Sequence, residues 1–134
     1  MPPLSQAPTG RDSWSSSAET MKPYEPALLL KRTLRSGQRI DFDGNVVVVG
    51  DVNPGAVITC TGDIVVIGTL RGVAHAGAGG NTKAQVVAFR LEPTQLRIAS
   101  VISRAPDGES PHPSAPEVAL IKDGAIHIQT YAPK

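Results

Sequence analysis

Asp43-Gly-Asn-Val-Val-Val-Val-Gly50 and Thr61-Gly-Asp-Ile-Val-Val-Ile-Gly68 carry one pattern at an offset of 18 residues. The segments before them, Thr33-Leu-Arg-Ser-Gly-Gln-Arg-Ile40 and Asp51-Val-Asn-Pro-Gly-Ala-Val-Ile58, align at the same offset. Gly37 with Gly55, Gly44 with Gly62 and Gly50 with Gly68 repeat on it, and Gly80 extends the second series. A fixed offset of this kind marks stacked repeats. A finer period of six runs inside: Leu34, Ile40, Val46, Val52, Ile58, Ile64 and Leu70, with Ala76 continuing the row. A helix turns a residue through about 600°, or about 240° net, over six positions and would scatter these side chains. Three six-residue sides closing into a triangle instead give every sixth residue an equivalent inward place. The predicted fold is therefore all-β, a short triangular parallel β-helix of about 18 residues per coil with glycines at its corners. A β-sandwich with glycine turns is the competing reading, but its turns have no reason to keep a constant spacing.

The chain of 134 residues has room for one small domain. Residues 1–27 are rich in Pro and Ser and lack aliphatic periodicity, so they read as a flexible tail or linker ahead of a β-helix domain over 28–134. A second Pro-rich stretch, from Arg104 to Glu117, reads as a surface excursion before a last apolar segment, Val118 to Ile128. Forty per cent of the residues are hydrophobic but only five are aromatic, so the core must be built from Val, Ile, Leu and Ala. A net charge of +1 argues against nucleic acid, whose binders carry a basic face or stripe. One cysteine, Cys60, excludes an internal disulfide and suits a reducing cytoplasm. No run reaches the roughly 18 apolar residues of a membrane span, and the start lacks a signal-peptide layout.

Strand side chains alternate, so if Val46 and Val48 point inward, Val47 and Val49 point outward. Val65 and Ile67 follow 18 residues on, and Val87 extends the stripe if the third coil carries a short insertion near Thr82 and Lys83. One outer face is thus apolar, and the expectation is a homodimer through Val47, Val49, Val65, Ile67 and Val87. Coverage by the segment Val118 to Ile128 is the competing arrangement.

Catalytic chemistry is poorly represented. His75, His112 and His127 stand in unrelated settings without metal-ligand spacing, and His75 is the best catalytic candidate only because solenoid acyltransferases place a histidine near a coil corner. Asp41, Asp43, Asp51 and Asp63 read as coil-edge turn residues. The run Ala76-Gly-Ala-Gly-Gly80 lacks the Lys-Ser/Thr of a phosphate loop and reads as a wide turn. Cys60 stands where Phe42 stands one coil earlier, which suggests core filling. No catalytic residue, metal or cofactor is expected.

The runs Lys31-Arg-Thr-Leu-Arg-Ser-Gly-Gln-Arg-Ile40, Gly50-Asp-Val-Asn-Pro-Gly-Ala56, Leu70-Arg-Gly-Val-Ala-His-Ala-Gly77 and Arg90-Leu-Glu-Pro-Thr-Gln-Leu-Arg-Ile-Ala99 resemble the C-terminal domain of the MinC family of bacterial septum site-determining proteins. The resemblance covers about residues 28 to 131. It implies a right-handed β-helix, a hand that the six-residue period does not fix. It also implies a non-enzymatic role: dimerisation through one apolar side, and binding to the ATPase MinD, which recruits the cytoplasmic protein to the membrane. FtsZ inhibition would belong mainly to an N-terminal domain absent from this chain. By the same resemblance Arg35, Ser36, Gly37 and Gln38 dock onto MinD, with Arg71 and Gly72 as weaker candidates on the same corner. Where the family shows an Asp-Arg pair, this chain has Asn81-Thr82-Lys83, with Lys83 as a possible charge donor. The rival functions are a self-polymerising solenoid of the bactofilin kind and a hexapeptide-type acyltransferase using His75.

Overall fold

The computed structural model describes residues 25–104 and 115–131. Most of the expected tail and residues 105–114 of the expected excursion lie outside these. The strands are β1 (Ala27–Leu30), β2 (Arg39–Phe42), β3 (Asn45–Val49), β4 (Val57–Cys60), β5 (Ile64–Leu70), β6 (Val73–Ala76), β7 (Val86–Leu91), β8 (Gln95–Ile98), β9 (Val101–Arg104), β10 (Glu117–Lys122) and β11 (Ala125–Thr130). They form two sheets, ordered β1-β3-β5-β7-β10-β11 and β2-β4-β6-β8-β9. A narrow third wall is made by parallel bridges from Leu34 to Val52 and from Val52 to Leu70. The three walls enclose one column.

The column forms because each strand buries alternate side chains and stacks like on like. Ile40 lies beside Ile58, Phe42 beside Cys60, and Val46 beside Ile64. Leu34, Val46, Val52, Ile58, Ile64 and Leu70 are fully buried, and among the described residues no polar or charged side chain is. Parallel strands enclosed this way favour β-branched residues, which pack well on a pleated surface. At the corners, polar side chains receive the backbone groups that strands leave over. Asn45 Oδ1 accepts from Asp63 N–H at 2.8 Å, and Asp63 Oδ1 accepts from Gln85 N–H at 2.8 Å. Asp51 Oδ1 accepts from Thr69 N–H at 2.9 Å, and Asp43 Oδ1 accepts from the Thr61 hydroxyl at 2.8 Å. These carboxylates are structural acceptors, in keeping with turn positions.

The 18-residue offset holds between the first two coils and then changes. Ile58 lies beside Ala74, an offset of 16, so the place equivalent to Ile40 and Ile58 belongs to Ala74 and not to Ala76. The corner at Arg71-Gly72 is two residues shorter than the one below it. Ile64 lies beside Val86, an offset of 22, which places the expected insertion in the wide turn after β6. The C-terminal segment does not cover the apolar face. It joins the sheet edge, with β10 antiparallel to β7 and β11 antiparallel to β10, so the face is lengthened.

Candidate functional site

Two outer surfaces come forward. The first is the corner between the third wall and β2. Arg35-Ser36-Gly37-Gln38 makes a tight turn in which Gln38 N–H donates to Arg35 O at 2.9 Å, and Gly37 sits at φ +89°. A positive φ at the third residue is the mark of a type II turn, where glycine carries no Cβ penalty. Asn53-Pro54-Gly55-Ala56 repeats the turn one coil on, with Gly55 at φ +91° and Ala56 N–H donating to Asn53 O at 3.0 Å. The Gln38 side chain locks the first turn by accepting from Arg35 N–H at 2.7 Å, which leaves its amide N–H groups and one acceptor site of Oε1 to a partner. Ser36 lies against Gly55, whose missing side chain leaves it room.

Arg35, Asn53 and Arg71 stack on this corner. Asn53 N–H donates to Leu34 O at 2.9 Å and Arg71 N–H to Val52 O at 2.7 Å, which sets the three residues one above another. The Arg71 guanidinium donates to Asn53 Oδ1 at 3.3 Å. Both arginines are exposed, and no partner for the Arg35 guanidinium stands among the described residues. A guanidinium held on a rigid turn offers a planar fork of donors to a carboxylate. Gly72 is buried against the carbonyls of Asn53 and Ala56 and has no surface to offer. Lys83 stands on a different corner, in the turn between β6 and β7, away from Arg35.

The second surface is the outside of the larger sheet. Val47 lies beside Val65, Val65 beside Val87, and Val49 beside Ile67, so the five residues expected there share one face. Two more belong to it. Leu29 lies beside Val47, and Phe89 sits within the β5–β7 bulge, between the pairs Val66–Ala88 and Thr69–Arg90. Leu29 is 54% exposed, Phe89 52%, Val49 41% and Ile67 40%. Leu29 precedes Val47 by the usual 18 residues and was within reach of the repeat, whereas the insertion hides Phe89.

The candidates for chemistry are engaged elsewhere. His75 Nε2 lies 3.1 Å from the Ala99 carbonyl oxygen, which also accepts from Arg97 Nε at 3.2 Å. An acceptor at that distance requires the proton on Nε2, so His75 clamps the β8–β9 turn. Among the described residues no three His, Cys, Asp or Glu side chains converge as metal ligands do. Cys60 is buried in the core, and burial pushes its thiol up to about 11. Cys60 is therefore expected to resist alkylation in the folded protein at pH 8 and to react at once in denaturant; rapid labelling of the native chain would contradict the packing. An unfolded chain releases this proton first, near 9.0, so the thiol lowers stability only as pH rises from 9 towards 11.

The family described as "Septum formation inhibitor MinC, C-terminal domain" matches residues 28–131. The probable septum site-determining protein MinC of Heliobacterium modesticaldum is 55% identical over 107 residues, which are 80% of this chain and 37% of that protein. Its counterpart from Symbiobacterium thermophilum is 56% identical over 112 residues, 84% of this chain and 49% of that protein. The chain thus spans between about a third and a half of these relatives. A solved structure titled "MinC:MinD cell division protein complex", from Aquifex aeolicus, has a chain that superposes with a TM-score of 0.75 at 37% identity, covering 81% of this chain and 89% of that one. With the repeat, the column and the turn motif in agreement with these matches, the chain belongs to the MinC family of septum site-determining proteins, in the part that corresponds to their C-terminal domain.

Proposed function

We propose that this chain is a non-enzymatic docking and dimerisation module of a division inhibitor. It binds the ATPase MinD through the Arg35 corner and pairs with a second copy through the outside of the larger sheet. MinD brings it from the cytoplasm to the inner face of the membrane, and FtsZ is inhibited mainly by a segment that this chain does not contain. The observation that carries the reading is the stack of Arg35, Asn53 and Arg71, which presents two guanidiniums on one corner, that of Arg35 on a locked turn, in a fold shared with a chain of a MinC:MinD complex. Ser36, Gly37 and Gln38 form the turn that aims Arg35, and Arg71 continues its charge upward.

The test is co-sedimentation of the chain with MinD on lipid vesicles in ATP and in ADP. The unmodified chain is expected to follow MinD in ATP. Arg35→Glu should lower the affinity at least about thirtyfold, the cost of leaving a buried partner charge unpaired. Arg97→Glu, on the outside of the smaller sheet, should bind normally. If MinD ignores the unmodified chain, the docking assignment is wrong.

A further inference from the structure

The last strand of the larger sheet is built unlike its neighbours. Every other strand of that sheet has one face in the core, but in β11 only Ile126 is half-buried and the remaining residues are exposed. Ile128 lies beside Ala119, whose side chain points into the column and is fully buried, yet Ile128 is 46% exposed. Among the described residues no further strand covers this end of the column, and its inward row stops at Ile128. Among the described residues no strand pairs with the outer edge of β11 either.

Edge strands invite pairing with other chains, and proteins ordinarily guard them with charge, proline or a bulge. β2 carries Arg39 and Asp41 on its edge. β11 reads Ala-Ile-His-Ile-Gln-Thr, without Lys, Arg, Asp, Glu or Pro, and Tyr131 after it is 45% exposed. Its hydrogen-bonding groups can be assigned. Tyr131 N–H donates to Pro116 O at 2.9 Å in the same register that places Thr130 beside Glu117. Opposed residues in an antiparallel ladder alternate between bonded and non-bonded pairs. Ala125, His127, Gln129 and Tyr131 therefore turn their backbone groups to β10, and Ile126, Ile128 and Thr130 turn theirs to the outer edge.

We infer that β11 is a self-association edge that pairs antiparallel with β11 of a second copy about a two-fold axis at Ile128. In that register Ile128 meets its own copy, and Ile126 meets Thr130 of the other chain. All three outward-turned residues then exchange bonds, giving about six backbone hydrogen bonds across the axis. The exposed isoleucine at this end is covered by its twin, and His127 stands beside Gln129 of the other chain, a polar pair without charge repulsion. A single strand pair is smaller than the roughly 1,200 Å² of a stable interface. It is consequently weak alone and gains strength where copies are already gathered, as on a membrane or in a dimer joined by the opposite contact. In that setting it rests on the dimer reading above, which the following test does not need.

The test uses the full chain with Cys60→Ala, to remove the native thiol, and Val47→Lys, to remove the other dimer contact. Single cysteines are placed on β11 and treated with a short bismaleimide at high protein concentration. Ile128→Cys is expected to cross-link to itself. Thr130→Cys alone should not, but mixed with Ile126→Cys it should. Circular dichroism of each variant verifies that the column is folded. Absence of an Ile128→Cys cross-link in a folded protein, or equal self-linking of Thr130→Cys, overturns the proposal. So does preferential linking of Ile128→Cys to Leu29→Cys on β1, which would mean head-to-tail stacking of columns.

Discussion

Val47→Lys is expected to turn the proposed dimer into a folded monomer, with the dimerisation constant weakened about a thousandfold or more. Val47 lies mid-row on the outside of the larger sheet, between Leu29 and Val65, with Val87 beyond. A valine, leucine, isoleucine or phenylalanine contributes about 1.5–3 kcal/mol when fully buried, so a face of half-covered side chains stands to gain several kcal/mol by meeting its copy. Lysine at the centre removes one such contribution and places an ammonium group in a dry contact, at a cost of a few kcal/mol. Two-fold symmetry applies each change twice per dimer. The column should not be harmed, because Val47 points away from the core that Val46 and Val48 fill. Sedimentation velocity and light scattering measure the mass, and circular dichroism the fold. Ile67→Glu, in the neighbouring row, should act the same way. A wild-type chain that is already monomeric at high concentration removes the interface.

The column was legible because two consecutive coils keep one length. Val46 over Ile64 and Leu34 over Val52 are contacts written as an interval, and alternation then assigned every outer residue of those strands without further information. Legibility ended where the interval changed. The short corner at Gly72 moved the inward place from Ala76 to Ala74, and the wide turn after β6 separated Phe89 from Ile67. The antiparallel strands at the end have no repeat to betray them. β9 and β11 are joined to their partners by short turns at Ala99 and at Asp123-Gly124, of which Ala99 and Asp123 take positive φ without being glycine. The turn at Arg35-Ser36-Gly37-Gln38 was legible as a motif, yet the contacts of its corner were not: that Gln38 closes the turn, that Asn53 braces Arg71 and that Gly72 is hidden all depend on which atoms meet.

Gly72→Ala separates architecture from docking at that corner, and it should cost the fold about 2–4 kcal/mol, or roughly 10 °C in Tm. A Cβ on Gly72 would stand 2.5 Å from Ala56 O and 2.8 Å from Asn53 O. Both are backbone atoms of the turn below, so relief would require the second coil to shift along with the strands attached to it. The shortened corner is the cause, since a chain that saves two residues on this coil must cut across the turn beneath it. Gly37 offers the contrast: nothing lies within 4 Å of its would-be Cβ, and only its φ of +89° resists a side chain, at about 1–2 kcal/mol. Gly37→Ala should accordingly be the milder change, although both glycines sit in turns of the same corner. Arg71→Glu should leave Tm within about 2 °C, because exposed positions carry little stability. It should nevertheless weaken MinD binding, whereas Gly72→Ala should weaken binding only in step with the unfolded fraction. Thermal unfolding and vesicle co-sedimentation of the three variants read both quantities. A Gly72→Ala protein that melts like the wild type but no longer binds would place Gly72 in the contact itself and contradict its burial.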